Sequence, residues 1–310
     1  MRGAQIVEYG PPSVIEVADI PRPQPQSGQL LVRVKAAGVG PWDALVREGQ
    51  TAIPQTLPLT LGSDIAGTVE AMGADASGFA VGNEVNGLTN NHFTGGYAEY
   101  ALASASSMAR KRRSLNFIEA ASAPVVAVTA WQMLFDYAHA IAGQRVLIHG
   151  AAGNVGAYAV QLARNAGLEV FATASSKDLD YVRELGAATG IDYHRSRFEE
   201  VVHAVDIVLD TVGGNTRMRS LGLLKPGGIL VSVVSSPIPS EAAAKAGVRV
   251  VSLIVDVTTA RLNKITELFD SGKLVTAVGT VLPLEKARTA HEMLGGAPHK
   301  RGKIVLSVNA

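Results

Sequence analysis

The strongest chemical signal in the chain is a glycine-rich segment at residues 149–156, which reads HGAAGNVG. An apolar run at residues 146–148 precedes it, and residues 155–163 carry the apolar spacing of a helix face. Small residues between a strand and a helix let the main chain approach a pyrophosphate, whose charge is favourable at the positive end of the helix. The segment therefore predicts a dinucleotide site, with a tight turn that binds nothing as the alternative. The predicted contacts are Gly150, Ala152, Gly153, Asn154, Val155 and Gly156.

The end of the next predicted strand, residues 169–174, indicates which dinucleotide binds. Proteins that prefer NAD usually carry Asp or Glu there, because a carboxylate accepts hydrogen bonds from the ribose hydroxyls. Here the strand is followed by Ser175, Ser176 and Lys177, two hydroxyls and an ammonium that suit a 2′-phosphate. Asp178 is the rival ribose ligand, although its position favours a helix N-cap, and a solvated turn is the structural alternative. The segment predicts NADPH rather than NADH.

Composition and charge exclude several classes of protein. The 310 residues suggest two domains, each large enough for a hydrophobic core. With 28 basic and 27 acidic side chains, the chain lacks the positive field that attracts nucleic acid or an anionic membrane, and we interpret the basic run at residues 110–113 as a solvated loop. The absence of cysteine excludes disulfides and thiolate metal sites. Neither a signal peptide nor a membrane span is evident, so we expect a cytoplasmic protein.

The elements that must position these residues follow two patterns along the chain. As far as about residue 118, short strand candidates alternate with glycine and proline turns, which is typical of a β-rich, barrel-like domain. These strands are expected at residues 29–36, 65–71 and 97–101. In the first of them, Val32, Val34 and Ala36 should share one face of the strand, because side chains alternate along it.

From about residue 145, strands alternate with helices, which predicts a parallel sheet with helices on both faces. Further strands of this sheet are expected at residues 205–210, 229–234 and 247–255, with a helix at residues 179–185. After these, the patterns predict a helix at residues 259–269, a strand at 278–282, a helix at 285–294 and a strand at 303–308. The return to strand-rich sequence indicates that this last segment folds back onto the first domain.

Several ordered motifs resemble the medium-chain dehydrogenase/reductase superfamily, in particular its zinc-free quinone oxidoreductase branch. The matching segments are AAGVGPWD at residues 36–43, LGSDIAGTV at 61–69, TGGYAEY at 94–100, VTAW at 128–131, DTVGG at 210–214 and GKIVL at 302–306. The resemblance runs nearly from end to end. It implies a GroES-like β-rich domain formed by residues 1–118 and 271–310. A Rossmann domain, an α/β domain with a doubly wound parallel sheet, would then be inserted at residues 119–270.

Two departures from the zinc-dependent alcohol dehydrogenases bear on metal binding. Gly40 stands where those enzymes carry a zinc-ligating cysteine, and Ser63 stands where they carry a zinc-ligating histidine. The four-cysteine lobe that binds a structural zinc is missing as well, so we expect no metal. Without a Lewis acid, reduction of a conjugated carbonyl becomes more favourable than oxidation of an alcohol. Gly40 also replaces an asparagine of the quinone oxidoreductases, which puts in doubt a polar contact near the nicotinamide.

The resemblance also implies roles for single residues. On the nicotinamide side of the site it implies Thr129, Thr211, Val212, Val233, Ser235 and Val255. Ordinary core packing is the alternative for the apolar members of this set. At the adenosine-phosphate end it implies Tyr193. For the proton that the product oxygen needs, the candidates are Tyr97, Thr129 and a water held by Asp43. A helix cap is the alternative role for Asp43.

The function implied by the resemblance is NADPH-dependent reduction of a quinone or another α,β-unsaturated carbonyl. Its partners would be a small-molecule substrate and a second copy of the chain in a homodimer, with no nucleic acid and no membrane. Two alternatives stay open. One is an enoyl reductase acting on a thioester or polyketide intermediate, and the other is a dinucleotide-binding protein with little catalysis.

Overall fold

The computed structural model describes residues 1–51, 55–235, 237 and 240–309, which form two compact units. The first unit comprises Met1–Val125 and Asp256–Ala310, and the second comprises Val126–Val255. The second unit therefore starts later and ends earlier than the Rossmann domain expected at residues 119–270. Helix Thr259–Asp270 belongs to the first unit, where the Thr259 hydroxyl donates a hydrogen bond to the Met108 carbonyl at 2.7 Å.

The strands and helices are numbered in chain order. The strands are β1 (Arg2–Ile6), β2 (Glu16–Asp19), β3 (Gln29–Val39), β4 (Leu59–Thr60), β5 (Asp64–Met72), β6 (Glu84–Leu88), β7 (Tyr100–Ser104), β8 (Met108–Arg110), β9 (Arg145–His149), β10 (Glu169–Ala174), β11 (Thr189–Asp192), β12 (Val205–Asp210), β13 (Leu224–Ser232), β14 (Arg249–Ser252), β15 (Val278–Pro283) and β16 (Lys303–Ser307). The helices are α1 (Pro41–Arg47), α2 (Phe117–Ser122), α3 (Pro124–Trp131), α4 (Asn154–Asn165), α5 (Leu179–Leu185), α6 (Phe198–Val201), α7 (Gly214–Ser220), α8 (Ser240–Ala246), α9 (Thr259–Asp270) and α10 (Ala287–Leu294).

Strand β3 is the centre of the first unit. It pairs antiparallel with β5, β7 and β16, in a sheet of order β15-β16-β3-β5-β6-β8, while β1 joins β2 and β4 in a smaller sheet. The pairing of β16 with β3 brings the late segment of the chain onto the early one, as the sequence indicated. Strand β7 begins three residues later than the predicted strand at 97–101, because Tyr97 instead bonds to Leu61 through main-chain groups.

A bulge in β3 corrects one prediction about its faces. The register against β5 shifts between Val34 and Ala36, which inserts one extra residue into β3. A bulge of this kind reverses the faces that follow it. Val32 and Val34 therefore pack in the main core together with Ala37, whereas Ala36 packs in a separate cluster with Ala66 under helix α2.

The second unit contains the expected doubly wound sheet. Its six strands lie in the order β11-β10-β9-β12-β13-β14, and every neighbouring pair is parallel. The chain runs outward from β9 to β11 and then crosses to β12, so right-handed crossovers place α4 and α5 on one face and α7 and α8 on the other. The strand order reverses between β9 and β12, and a crevice is expected at the carboxyl ends of those two strands. Across the described residues, no helix combines the length and apolarity that a membrane span requires.

Candidate functional site

The glycine turn lies between β9 and α4, at the point where the strand order reverses. A Cβ atom on Gly150, whose φ is +68°, would lie 2.3 Å from Thr211 Oγ1, and one on Gly156 would lie 2.3 Å from the Gly150 carbonyl oxygen. Neither position therefore has room for a side chain. A Cβ atom on Gly153 would approach only the Gly150 carbonyl, at 3.2 Å, so the exposed side of the turn is open. Because the first turn of a helix leaves main-chain N–H groups without intrahelical partners, this opening fits a pyrophosphate.

The buried side chain of His149 holds the glycine turn in place through a chain of hydrogen bonds. Its Nε2 lies 2.8 Å from Ser220 Oγ, and because that hydroxyl donates to the Thr216 carbonyl, Nε2 must carry the hydrogen. Its Nδ1 then accepts from Thr173 Oγ1 at 3.2 Å, and the same oxygen accepts the Gly150 N–H at 3.3 Å. Burial lowers the pKa of His149 to about 4, so the ring is neutral at physiological pH. His149 therefore orients the turn and has no free nitrogen for acid–base chemistry.

A buried ion pair holds the loops that follow β12 and β13. Asp210 accepts hydrogen bonds from the main-chain N–H groups of Val212 and Gly213, at 3.0 and 2.7 Å. Arg217 donates to Asp210 at 2.8 Å and to the Val234 carbonyl at 2.9 Å. Burial raises the pKa of Asp210, but Arg217 and the loop N–H groups outweigh it and hold the pKa below its usual range. The pair thus fixes the two loops that carry four of the predicted nicotinamide contacts, which are Thr211, Val212, Val233 and Ser235.

The predicted nicotinamide contacts differ in exposure. Val212 is 53% exposed, Ser235 is also exposed, and Thr211, Val233 and Val255 are half-buried. Side chains with exposed surface at the carboxyl end of a parallel sheet are available to a ligand, so core packing alone does not account for them.

Thr129 and Tyr193 complete the predicted cofactor contacts. Thr129 is buried in helix α3, and Tyr193 is 55% exposed just after β11. Tyr193 lines a cavity of about 530 Å³ together with Gly150, Thr173 and Val212. The glycine turn and the end of β11 thus share one cavity.

The predicted phosphate pocket, formed by Ser175, Ser176 and Lys177, contains two carboxylates that accept hydrogen bonds from its serines. Ser175 Oγ donates to Asp178 Oδ2 at 2.6 Å, and Ser176 Oγ donates to Asp192 Oδ2. Asp178 occupies the N-cap position of α5, although its side chain makes no cap hydrogen bond there. Lys177 is exposed beside them. Asp192 was not predicted to belong to this pocket. Its only signal is its position at the end of β11, the strand that pairs with β10.

In the first unit, Gly40 and Ser63 stand where zinc-dependent enzymes carry metal ligands, and the side chains of Trp42 and Lys303 occupy the space around them. A Cβ atom on Gly40 would lie 2.4 Å from the Trp42 ring, so the indole occupies the space of a side chain at position 40. Trp42 Nε1 donates to Ser63 Oγ at 3.0 Å. The Lys303 ammonium lies 4.2 Å from the centre of the Trp42 ring and 3.0 Å from Asp64 Oδ2. A resident cation therefore occupies this region of the unit.

Asp43 and Tyr97, two of the predicted catalytic residues, lie together and are completely buried. Asp43 Oδ2 accepts hydrogen bonds from the Tyr97 hydroxyl and the Gly40 N–H, both at 2.8 Å, and the second bond caps helix α1. Burial raises the pKa of Asp43 to about 7 against the opposing effects of the Gly40 N–H, Lys303 and Tyr97. Asp43 Oδ1 has no hydrogen-bond partner among the described residues, so a proton on this carboxyl resides there. Burial also raises the pKa of Tyr97 well above 10, and the phenol stays neutral.

Comparisons with known proteins decide the family. Residues 26–113 match the model of the alcohol dehydrogenase GroES-like domain, and residues 185–306 match the model of zinc-binding dehydrogenase. The quinone oxidoreductase of Pongo abelii is 32% identical, over 99% of this chain and 97% of that protein. The chain belongs to the quinone oxidoreductase branch of the medium-chain dehydrogenase/reductase superfamily. The family is one of oxidoreductases that use a nicotinamide dinucleotide and a small-molecule substrate.

Solved structures agree with this assignment over the whole chain. The quinone oxidoreductase from Coxiella burnetii has 34% sequence identity and a TM-score of 0.93, covering 100% of this chain and 99% of that one. A mycobacterial protein complexed with NADPH has 29% identity and a TM-score of 0.88, covering 99% of each chain. The fold predicted from the sequence, a Rossmann domain inserted in a GroES-like domain, is confirmed.

The second family model is named for zinc, and the residues around Trp42 do not fit that ion. Gly40 supplies no donor atom, the Ser63 hydroxyl accepts from Trp42, and the Asp64 carboxylate faces the Lys303 ammonium. Zinc favours thiolate and imidazole ligands, with three or four of them around the ion. Within the described ranges, no group of three or more His, Cys, Asp or Glu side chains is placed to hold a metal.

Replacing Gly153 by Asp should separate dinucleotide binding from folding. Gly153 is the N-cap residue of α4, with φ −75°, a position that Asp occupies readily and at which it stabilises a helix. Its carboxylate would compete with the pyrophosphate for the helix N–H groups. We expect the affinity for NADPH or NADH, followed by nicotinamide fluorescence, to fall at least about tenfold, or about 1.4 kcal/mol, with no loss of melting temperature. Gly153→Asn, whose side chain has the same shape but no charge, should lose less affinity for the dinucleotide. Near-normal affinity in folded Gly153→Asp would show that the turn does not belong to the site.

The buried Asp43 should make stability depend on pH. Its pKa of about 7 in the folded protein exceeds the ordinary 3.8, so folding favours the protonated form. The resulting stability is complete below about pH 4 and is lost as the pH rises toward about 7. In Asp43→Asn, the amide has the same shape as the carboxyl and does not titrate. Urea denaturation should show the unfolding free energy of this variant rising relative to wild type by about 4 kcal/mol between about pH 4 and pH 8. A difference that stays constant with pH would contradict the raised pKa.

Proposed function

We propose that this protein is an NADPH-dependent, zinc-free oxidoreductase that reduces a quinone or another α,β-unsaturated carbonyl compound. One observation carries the proposal: the chain keeps an open glycine turn, while Trp42 and Lys303 fill the region where a catalytic metal would be held. Oxidation of an alcohol usually depends on a Lewis acid to polarise the oxygen, and the residues present do not fit one. A conjugated carbonyl is already electrophilic, so reduction is the favoured direction.

In this proposal the second unit supplies the residues that hold the dinucleotide. The open side of Gly153 and the first turn of α4 receive the pyrophosphate, and Tyr193 contacts the adenosine end. The nicotinamide contacts are Thr129, Thr211, Val212, Val233, Ser235 and Val255. The bound reduced nicotinamide supplies a hydride. Because Arg217 and Asp210 fix the loops after β12 and β13, the contacts on those loops are organised before the ligand arrives. These contacts are Thr211, Val212, Val233 and Ser235.

The first unit supplies a candidate proton store in this proposal. Reduction of a conjugated carbonyl leaves negative charge on the substrate oxygen, which needs a hydrogen-bond donor and then a proton. The candidates for this donor are Asp43, with a proton on Oδ1, and the Tyr97 hydroxyl, which donates to Asp43 Oδ2. With a pKa of about 7, Asp43 is partly protonated at neutral pH. The Thr129 hydroxyl is the alternative donor.

A parallel substrate screen tests this function. Purified protein should oxidise NADPH in the presence of quinones or small enones, followed by the loss of nicotinamide absorbance. The rate should survive exhaustive chelation, because no residue set around Trp42 fits a zinc ion. Enoyl thioesters form the second arm, and preferential turnover of these would identify an enoyl reductase instead. Binding of NADPH without turnover of any acceptor would leave a dinucleotide-binding protein, and full loss of activity on chelation would contradict the zinc-free assignment.

The proposed preference for NADPH rests on Lys177. This exposed ammonium lies three residues after the end of β10, where a 2′-phosphate would meet it. Solvent there limits the gain in free energy to the lower end of the range for charged hydrogen bonds. Lys177→Ala should raise the KM for NADPH about tenfold, or about 1.4 kcal/mol, and change that for NADH less than about twofold. Lys245→Ala, an exposed lysine on α8 of the same unit, is the matched control. Equal losses for both dinucleotides would refute the phosphate contact.

A further inference from the structure

The carboxylate of Asp192 lies directly under the predicted phosphate pocket. Strand register places Asp192 opposite Ala174, the last residue of β10. The Ser176 hydroxyl donates to its Oδ2, the His194 N–H donates to its Oδ1 at 3.0 Å, and Arg195 Nε lies 3.5 Å from Oδ2. The Ser176 bond, aided by the His194 N–H and Arg195, holds the pKa of Asp192 below its usual range. A full negative charge is therefore present here at neutral pH.

This charge changes what the pocket offers to a 2′-phosphate. The Ser176 hydrogen points at Asp192 and the Ser175 hydrogen points at Asp178, so neither hydroxyl is a ready donor to an anion. The cations Lys177 and Arg195 remain exposed and available to a phosphate, and the Arg195 side chain is 80% exposed.

Two further arginines that line the same cavity have a different partner. Arg197 lies 3.6 Å from Glu199, and Arg219 donates to the same carboxylate. Arg195 instead lies beside Asp192, the carboxylate that accepts the Ser176 hydrogen bond, and Asp192 partly neutralises it.

We propose that Asp192 is a specificity-determining residue that weakens the hold of this site on the 2′-phosphate of NADPH and so keeps NADH usable. The inference rests on the proposed dinucleotide function. Asp192 acts in two ways: its charge repels the phosphate and offsets Arg195, and its Oδ2 occupies the Ser176 hydrogen. A ribose without the phosphate meets no such repulsion, because its hydroxyls can donate to carboxylates. Asp192 thus opposes the 2′-phosphate and leaves a ribose without that phosphate unopposed.

Asp192→Asn removes both effects with little change of shape. The amide oxygen can still accept the His194 N–H, while the amide nitrogen can donate to Ser176 Oγ, which turns the serine hydrogen outward. The second variant, Asp192→Ser, removes the carboxylate but keeps an acceptor for His194. Asp192→Ser replaces Asp192→Asn in the test if the asparagine variant fails to fold. Asp180→Asn is the matched control, since Asp180 is an exposed carboxylate on α5 that pairs with Arg183.

Calorimetry with two nucleotides isolates the phosphate, because 2′,5′-ADP differs from 5′-AMP only at the 2′ position. We expect Asp192→Asn to bind 2′,5′-ADP about fivefold or more tightly than wild type, because a charge-assisted donor replaces a repulsive charge, with 5′-AMP changed less than about twofold. Asp180→Asn should change neither. Ser176→Ala should leave 2′,5′-ADP binding unaltered in wild type and weaken it in Asp192→Asn, since only there is the hydroxyl free to donate.

The outcomes separate this inference from the proposed function. Two results in Asp192→Asn would overturn the role of Asp192 and leave the proposed function intact. One is an unchanged ratio of the affinities for 2′,5′-ADP and 5′-AMP, and the other is an equal gain in affinity for both. A loss of 2′,5′-ADP affinity in wild type on Ser176→Ala overturns this role too, because the hydroxyl would already serve the phosphate. If folded wild-type protein bound neither nucleotide, the dinucleotide function itself would fall, and the inference with it.

Discussion

The buried pair of Lys303 and Asp64 is the interaction on which the first unit depends. Both side chains are almost fully buried, and a buried charge is tolerated only beside a partner of opposite sign. The pair joins β16 to β5, while the other oxygen of Asp64 accepts the Val125 N–H at 3.0 Å, just after the start of α3. Trp42 lies over the ammonium. One ion pair thus connects both sequence segments of the unit and holds a cation against Trp42.

The second unit uses polar groups at the carboxyl ends of its strands to hold loops in place. His149 ends β9 and orients the glycine turn, Asp210 ends β12 and fixes two loops through Arg217, and Asp192 ends β11 and binds the segment after β10. In each case the polar side chain bonds to neighbouring protein groups. The ligand would therefore meet main chain and exposed side chains that these buried groups have already positioned.

The sequence predicted those parts of the molecule that depend on local pattern. The glycine turn, the alternation of strands and helices after residue 145 and the return of the late segment all follow from composition and spacing. Three features do not, because they depend on pairing between distant residues. The reversal at Ala36 comes from a bulge against β5, the charge on the phosphate pocket comes from the register of Asp192, and the partner of Asp64 lies 239 residues away. The motifs predicted a dinucleotide site, but they did not reveal the charge balance around Ser175 and Ser176.

The long separation of Asp64 and Lys303 also orders events during synthesis. The inserted unit is a continuous stretch of chain, and domains fold as units when their sequence has emerged from the ribosome. Lys303 lies 239 positions after Asp64, so at about 5 to 20 residues per second it follows on the order of tens of seconds later. Throughout that interval Asp64 has no ammonium and β3 lacks its neighbour β16. The inserted unit is therefore able to form first, and the first unit completes its sheet only after its last strand has been made.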